Sequence, residues 1–178
     1  VNDQGRQTEI LFLSVWLRYL EIFNQASPFP NNCYQGAYIE SLAKELKNIK
    51  DKVLCIDKEI EKELSQLLSL DLTEEELDGL ITRSKEILDD GFEEIKTFAL
   101  ENILRNIEGD LRTFGVNHNK WFKESSMFST SKTKESLISE ALDALKSKKK
   151  LYEKEGALWF QSTDFGDEKD RVVKRENG

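Results

Sequence analysis

Side chains that could perform acid–base, nucleophilic or metal chemistry are scarce in this sequence. It holds a single histidine, His118, and two cysteines, Cys33 and Cys55, with no CxxC spacing. A zinc site built from the usual Cys and His ligands is therefore not expected, and we interpret both thiols as free in a reducing compartment. The sequence has no Ser–His–Asp set, no GxGxxG pattern and no GxxxxGK[ST] phosphate loop. Taken alone, these residues do not show an enzyme.

The carboxylate of Glu124 is one candidate for ligand binding. Residues 116–123, which precede it, lose helical periodicity and include Trp121 and Phe122, a pattern that predicts a short strand. In α/β folds, ligands bind beyond the carboxyl ends of strands, which is where Glu124 would lie. The alternative is an exposed glutamate in a turn, and position alone favours that alternative.

Two further groups of residues each allow a structural and a functional interpretation. Tyr34 and Tyr38 bracket Gly36 just after a break at residues 28–32, which indicates either a loop held by aromatic packing or a turn that faces a substrate. The pattern favours the packed loop. Residues 146–150 are rich in lysine and end a predicted helix, where cations complement the helix dipole. Contact with a phosphate backbone is the alternative.

Acidic charge is concentrated in the middle of the chain. The 178 residues carry 34 acidic and 26 basic side chains, but residues 51–101 alone hold 16 acids and 6 bases. Phosphate repulsion disfavours nucleic-acid binding by this middle segment, whereas the two ends are weakly basic. A solvated helical surface explains the acidity. No apolar run approaches the ~20 residues needed to span a bilayer, so no membrane association is expected.

Hydrophobic periodicity predicts a mainly helical α+β chain with five or six helices. The first, from about residue 7 to 23, is apolar on most sides, which indicates burial on most sides. Thr73 and Glu76 form a capping box ahead of another helix, and Gly115 ends the longest one. The helical segments cover residues 7–23, 39–46, 53–68, 77–88, 92–114 and 137–145.

A small antiparallel or mixed sheet is predicted from residues 116–123, 157–164 and 171–175. The last two segments lie on either side of a charged turn, which is typical of a hairpin. Asn177-Gly178 favours a turn into a further strand, and Val1 is not a start methionine. We therefore expect an internal piece of a longer protein.

Five stretches follow one another along the chain: residues 1–7 (VNDQGRQ), 14–20 (SVWLRYL), 34–38 (YQGAY), 121–125 (WFKES) and 156–172 (GALWFQSTDFGDEKDRV). They occur in the order in which bacterial arginyl-tRNA synthetases carry them, and the sequence resembles that family. The resemblance covers both ends and the middle landmarks, whereas residues 50–90 match poorly and behave like a variable insertion. Any one stretch would be a weak signal, but five in order are specific.

The resemblance implies a fragment of a class I synthetase, whose catalytic domain is a nucleotide-binding fold with a parallel sheet. Residues 1–49 would be catalytic-domain helices, and residues 50–91 a helical hairpin insertion. Residues 92–178 would be a long helix with the small sheet and helix of the insertion or catalytic domain. The family's ATP-handling motifs, of the His-Ile-Gly-His and Lys-Met-Ser-Lys types, are not among the 178 residues.

By the same resemblance, the full-length protein would activate arginine with ATP and transfer it to tRNA(Arg). It would use ATP and Mg2+ as cofactors and be cytoplasmic. The guanidinium of arginine requires carboxylates, ideally in bidentate geometry. Glu124 matches the position of an arginine-recognising glutamate, and Asn2 and Tyr34 are further candidates for substrate binding. The resemblance implies no catalytic residue, no metal ligand and no cofactor for the piece alone.

Two other functions stay open at this point. One is an independent helical interaction module that uses the acidic hairpin 53–90. The other is a tRNA-binding accessory domain that uses the basic residues in segments 146–154 and 169–175. As a piece of a synthetase, the isolated chain is expected to be inactive. We expect the piece to be a monomer or to associate weakly with itself, because exposed apolar faces favour self-association.

Overall fold

The computed structural model describes residues 1–128 and 136–175. Within them the chain forms six α-helices, two short 3-10 helices and three strands, in two compact units that divide between Trp121 and Phe122. The helices are α1 (Arg6–Ile22), α2 (Ala37–Lys50), α3 (Lys58–Leu67), α4 (Glu74–Leu88), α5 (Asp90–Thr113) and α6 (Leu137–Ser147). The other elements are the 3-10 helices η1 (Glu124–Met127) and η2 (Ser162–Phe165) and the strands β1 (Leu151–Lys154), β2 (Ala157–Phe160) and β3 (Arg171–Lys174). The predicted class, mainly helical α+β with a small sheet, is confirmed.

Helix α1 is the centre of the first unit, and α2, α4 and α5 pack against it. The burial on most sides that its sequence predicts is confirmed, because nine of its 17 residues are buried. Each large apolar side chain that is wholly buried contributes about 1.5–3 kcal/mol to folding, so α1 supplies a large part of the core. Its largest wholly buried side chains are Phe12, Leu13, Trp16, Leu17, Tyr19 and Leu20.

Two predicted helix ends are confirmed by their hydrogen bonds. The Thr73 hydroxyl accepts from the N–H of Glu76 at 3.2 Å, and the Glu76 carboxylate accepts from the N–H of Thr73 at 2.8 Å, which is a complete capping box for α4. Gly115 has a φ of +79° and follows the 24-residue α5, the longest predicted helix. There the N–H of Val116 reaches back to the carbonyl of Leu111 at 2.9 Å, as in a Schellman motif.

The start predicted for the helix over residues 53–68 is wrong. Helix α3 begins only at Lys58, where the Asp57 side chain accepts from the first free N–H groups. The backbone just before it bonds to a side chain instead. Gln25 accepts from the N–H of Ile56 at 3.2 Å and donates to its carbonyl at 2.5 Å. These backbone groups are therefore not available to a helix.

The strand predicted over residues 116–123 is also wrong. The described structure has no strand there, and the chain runs from the end of α5 into η1 without regular structure. A strand needs a neighbour for its backbone N–H and C=O groups, and the sheet of the described residues contains only β1, β2 and β3. Without such a neighbour, the β propensity of Trp121 and Phe122 is not sufficient to form a strand.

The second unit contains an antiparallel sheet in the order β1–β2–β3. The predicted hairpin of its last two strands forms, with Trp159 opposite Val172. The strand predicted over residues 157–164 ends already at Phe160, because η2 begins at Ser162. The third strand is β1, which takes the place expected for residues 116–123. It joins β2 through Glu155 and Gly156, whose φ angles are +52° and +73°. Two consecutive positive φ angles are typical of a type I′ turn, whose twist matches that of the two strands.

The three predicted segments do not coincide with the two units. Residues 50–91 contribute Leu64, Leu77 and Leu80 to the same hydrophobic core as α1. The interpretation of residues 50–91 as an insertion stays a prediction about sequence variation. Asn177-Gly178, expected to form a turn, lies outside the described residues.

Candidate functional site

The segment from Asn2 to Gly5 enters α1 in a defined conformation. The Asn2 side-chain oxygen accepts from the N–H of Gln4 at 3.2 Å, which closes a local Asx turn, and Asp3 is only 3% exposed. Gly5 has a φ of +90°, which residues with a Cβ rarely adopt. Its carbonyl accepts from the Thr8 hydroxyl at 2.5 Å. The exposed Asn2 side chain therefore has a fixed place at the start of α1.

Tyr34 is attached to the same helix at two points. Its N–H donates to the Ser14 hydroxyl oxygen at 2.9 Å, and that buried hydroxyl donates to the carbonyl of Ile10 at 2.6 Å. The Tyr34 phenol donates to Gln7 Oε1 at 3.3 Å. Tyr34, one of the predicted site residues, is thus held by the N-terminal half of α1, and Asn2 lies four residues before the start of this helix.

The glycine between the two tyrosines has a steric reason. Gly36 has an ordinary φ of −66°, but a Cβ at this position would collide with the ring of Tyr38. Partial burial raises the pKa of the Tyr38 phenol, and the neighbouring phenol of Tyr34 raises it further. The packing of this loop involves the ring of Tyr38, whereas the hydroxyl of Tyr34 forms its hydrogen bond at the surface. A packed loop therefore still allows Tyr34 to contact a substrate.

Glu124 begins η1 in the second unit and is half-buried. The turn is ordered by Ser126, whose N–H and hydroxyl both donate to the carbonyl of Lys123, at 3.1 and 2.5 Å. Within residues 1–128 and 136–175, no hydrogen bond or ion pair engages the Glu124 carboxylate. Such a carboxylate can accept a guanidinium in bidentate geometry. Because the predicted strand before it does not form, the assignment of Glu124 to a site now rests on the resemblance.

The partners that hold Tyr34 are the site residues that sequence reasoning missed. Gln7 and Ser14 lie 27 and 20 residues before Tyr34 in the chain, and no local pattern signals either contact. Asn2 and Tyr34 belong to the first unit and Glu124 to the second. Asn2 and Tyr34 thus share a unit in which Tyr34 contacts α1 and Asn2 precedes it, whereas Glu124 is described within the other unit.

A dense polar network lies between η2 and β3 in the second unit. Asp170 accepts from the N–H and hydroxyl of Thr163 at 3.1 and 2.8 Å and from the Tyr152 hydroxyl at 2.9 Å. Asp167 accepts two bonds from Arg171 at 2.6 and 2.7 Å. These bonds lower the pKa of both carboxyls, that of Asp167 to about 2 and mainly through Arg171. Both carboxylates are thus used to order the loop.

The lysines at the end of α6 are partly engaged within their own unit. Lys149 has a φ of +54° at the helix end, and it is exposed together with Lys148. Lys150 forms an ion pair with Asp164 at 2.8 Å and lies 5.4 Å from the centre of the Phe165 ring. The helix dipole and this ion pair account for the cluster, and contact with a phosphate backbone stays a prediction.

Two relatives and one solved structure that are similar to this chain carry names of the same enzyme. No family model matches the chain. It is 43% identical over 182 residues to an arginine–tRNA ligase of Nitrosomonas eutropha and 40% identical over 193 residues to one of Acinetobacter baumannii, and each match covers the whole chain. Among solved structures, a candidate arginyl-tRNA synthetase from Campylobacter jejuni matches the whole chain with a TM-score of 0.63 and 28% identity.

The matched proteins are much longer than this chain. The chain spans 30% of the Nitrosomonas protein and 31% of the Acinetobacter and Campylobacter proteins. The resemblance found in the sequence is thereby confirmed. Over its whole length, the chain is similar to one part of arginyl-tRNA synthetases.

Proposed function

We propose that this chain is part of an arginine–tRNA ligase, which activates arginine with ATP and transfers it to tRNA(Arg). The observation that carries the proposal is the match along the entire chain, at 43% and 40% identity, to two proteins of that name. A shared fold alone would be weak support, because unrelated functions occur on the same fold. Identity at this level over the whole chain supports shared chemistry more strongly.

Within that protein, the chain would supply framework and a part of the arginine site. A guanidinium is held best by a carboxylate that accepts two parallel N–H bonds, and Glu124 is half-buried on an ordered turn. The Asn2 amide can donate to the carboxylate of arginine, and the Tyr34 hydroxyl, which donates to Gln7, can accept from the ammonium group of arginine. We assign these three residues to substrate binding and none to a catalytic step.

ATP and Mg2+ are assigned to the rest of the protein. Phosphates are commonly held by glycine-rich loops at helix N-termini, and Mg2+ by carboxylates together with phosphate oxygens. The sequence has no such phosphate loop. Among the described residues, no three His, Cys, Asp or Glu side chains are placed to hold a metal ion. We expect the isolated chain to show no ATP–pyrophosphate exchange.

The full-length protein would bind tRNA(Arg), arginine and ATP in the cytoplasm. In the part of the chain that the structure describes, no helix combines the length and apolar character needed to cross a membrane. As an isolated piece, the chain would be a monomer or would associate weakly through exposed apolar side chains such as Phe114, which is 86% exposed.

Neither alternative function is favoured by a specific observation. The acidic hairpin 53–90, which an interaction module would use, packs apolar side chains into the core around α1. An accessory tRNA-binding domain would use the basic residues in segments 146–154 and 169–175, which include Lys150 and Arg171. Lys150 is paired with Asp164, and Arg171 is paired with Asp167. These basic groups are therefore partly neutralised within their own unit.

Kinetics of Glu124→Gln in the full-length protein test the proposed arginine site. The amide keeps the shape of the side chain but cannot accept two charge-assisted bonds from a guanidinium. A hydrogen bond to a charged group contributes about 1.5–3 kcal/mol, so the KM for arginine should rise about tenfold to 150-fold. The measurement is arginylation of tRNA at varied arginine concentration, with the KM for ATP as the internal reference.

Glu140→Gln is the matched control, because Glu140 is an exposed glutamate on α6 in the same unit. This variant should leave the KM for arginine unchanged. An unchanged KM in Glu124→Gln would remove Glu124 from the site. Failure of the unmodified full-length protein to attach arginine to tRNA would refute the proposed function itself.

A further inference from the structure

Helix α4 holds the first turn of α1 through ion pairs. Arg6, the first residue of α1, places Nε 2.5 Å from Asp78 Oδ1 and Nη2 2.7 Å from Glu74 Oε2. One turn further along α1, Glu9 Oε1 lies 2.5 Å from Lys85 Nζ. Three carboxylates and two cations thus join the N-terminal end of α1 to α4.

The spacing of these residues fixes the position of α4 along α1. Glu74 and Asp78 are four residues apart on α4, and both face the guanidinium of Arg6. Their order along α4, with Lys85 further on, follows the order of Arg6 and Glu9 along α1. A shift of α4 along α1 would therefore break both contacts together. The guanidinium is held further by the bond from Nη2 to the main-chain carbonyl of Glu74 at 3.3 Å.

The two site residues of this unit are attached to the same end of α1. Asn2 precedes Arg6 by four residues, and only a local turn and Gly5 separate them. Tyr34 bonds through its phenol to Gln7, the residue that follows Arg6. A displacement of the first turn of α1 would therefore move the polar groups of both Asn2 and Tyr34.

We propose that Arg6 is a positioning residue of the arginine site, with Asp78 and Glu74 on α4 as its partners. The inference rests on the proposed function, since it concerns where this unit presents its polar groups to arginine. Arg6 acts through α1 rather than on the substrate, because α4 engages both Nε and Nη2. Helix α4 lies within residues 50–91, which we interpret as a helical insertion, and would thereby adjust the segment that leads into α1.

The ion pairs are suited to fixing a position more than to holding the fold together. The side chains of Arg6, Asp78 and Glu74 are 35%, 56% and 76% exposed, and exposed ion pairs contribute little to the free energy of folding. Beneath them, Leu77 and Leu80 of α4 are 1% and 2% exposed. This apolar packing keeps α4 in the unit when the charges are removed, so the expected effect is a change in the orientation of the first turn of α1.

Kinetics of Arg6→Gln in the full-length protein test the proposal. Glutamine removes the charge and the guanidinium fork, so the KM for arginine should rise about threefold to tenfold, while kcat and the KM for ATP stay within about twofold. Asp78→Asn should have the same effect. Exchange of the charges, with Arg6→Asp and Asp78→Arg combined, should restore most of the KM for arginine, which a general loss of stability would not allow.

Arg83→Gln is the matched control on the same helix. Arg83 also makes two bonds to a glutamate, at 2.6 and 2.8 Å, but this partner is Glu63 on α3. Its loss should lower the unfolding temperature about as much as Arg6→Gln does and leave the KM for arginine unchanged.

Two results would overturn the positioning role of Arg6. One is an unchanged KM for arginine in an Arg6→Gln protein that still attaches arginine to tRNA, which would leave the proposed function standing. The other is an equal rise in KM in Arg6→Gln and Arg83→Gln, because the effect would then be general. A full-length protein that attaches no arginine at all would refute the proposed function, and the inference with it.

Discussion

The phenol of Tyr19 on α1 accepts a hydrogen bond from the backbone N–H of Leu54 at 3.3 Å, across 35 residues of chain. The same phenol donates to the carbonyl oxygen of Asp51. Trp16 donates its indole N–H to the carbonyl of Leu54 at 3.1 Å. Tyr19 and Trp16 are wholly buried, so side chains of α1 hold the loop between α2 and α3 in a place where an unpaired N–H is costly.

We expect Tyr19→Phe to loosen this loop. The ring still fills its space, but the N–H of Leu54, a residue that is only 5% exposed, loses its acceptor. An unpaired buried donor costs about 1–3 kcal/mol, which corresponds to about fivefold to 150-fold faster hydrogen exchange at that amide. Native-state hydrogen exchange of residues 51–57 measures this change. Tyr38→Phe, in which the substituted ring is 45% exposed, is the control, and equal exchange in Tyr19→Phe and the unmodified protein would contradict the prediction.

The same phenol makes stability sensitive to alkaline pH. Burial is the main cause that raises the pKa of Tyr19 from its ordinary value of 10.0 to about 12. As the pH rises, the unfolded chain loses this proton first. The protonated Tyr19 phenol therefore contributes fully to the stability of the folded state below pH 10, and this contribution is lost as the pH rises towards 12. In Tyr19→Phe this dependence disappears. The fall in unfolding temperature between about pH 9 and about pH 11 should therefore be smaller in the variant.

The helices show which features local sequence can predict. Thr73 and Glu76 form their capping box within one turn, and Gly115 ends α5 at the predicted residue, because both signals act on neighbouring backbone. The start of α3 is different. The N–H of Ile56 bonds to Gln25, which lies 31 residues earlier. A contact of that kind has no local signature, so helical periodicity extended the predicted helix too far towards its N-terminus.

The strands give the same lesson about pairing. Residues 116–123 contain β-prone aromatic side chains, but no strand of the described sheet lies beside them. Strand β1 has only four residues, two of them charged, and still forms because the turn at Glu155 and Gly156 brings it against β2. Pairing with a neighbour decides whether such short segments become strands, and composition does so only weakly.

For the candidate site, the sequence predicts the residues but not the contacts that hold them. Asn2 and Tyr34 were proposed from a resemblance, yet the contact of Tyr34 with Gln7 emerges only from the fold. The bond of Arg6 to Asp78 spans 72 residues. Such pairings depend on how α1 and α4 cross, which helical periodicity alone does not specify.

The ion pair with Arg171 strongly lowers the pKa of the Asp167 carboxyl. Two bonds, at 2.6 and 2.7 Å, hold the pKa of Asp167 at about 2, below its ordinary value of 3.8. We expect this pKa to rise towards 3.8 in Arg171→Gln, because Arg171 is its main cause. Carbon-13 NMR of the aspartate carboxyls in the 178-residue chain measures the titration. The lowered pKa stabilises the folded state above pH 3.8, and that contribution is lost as the pH falls towards 2.

Lys169→Gln is the control for this titration. It removes a cation two residues before Arg171 that forms no ion pair with Asp167 within the described residues. The Asp167 titration should therefore stay in place. A pKa near 3.8 for Asp167 in the unmodified chain would show that the pair with Arg171 does not form in solution.

Tyr34→Phe separates the two interpretations of residues 34–38. It leaves the backbone bond to Ser14 in place and removes only the hydroxyl that donates to Gln7 at 3.3 Å. We expect the KM for arginine in the full-length protein to rise about tenfold to 150-fold, the loss typical of a hydrogen bond to a charged group, with the unfolding temperature unchanged. A hydroxyl that only pins the loop would give the opposite result, a lower unfolding temperature at constant KM. Tyr38→Phe, which keeps the Tyr34 hydroxyl, should leave the KM unchanged.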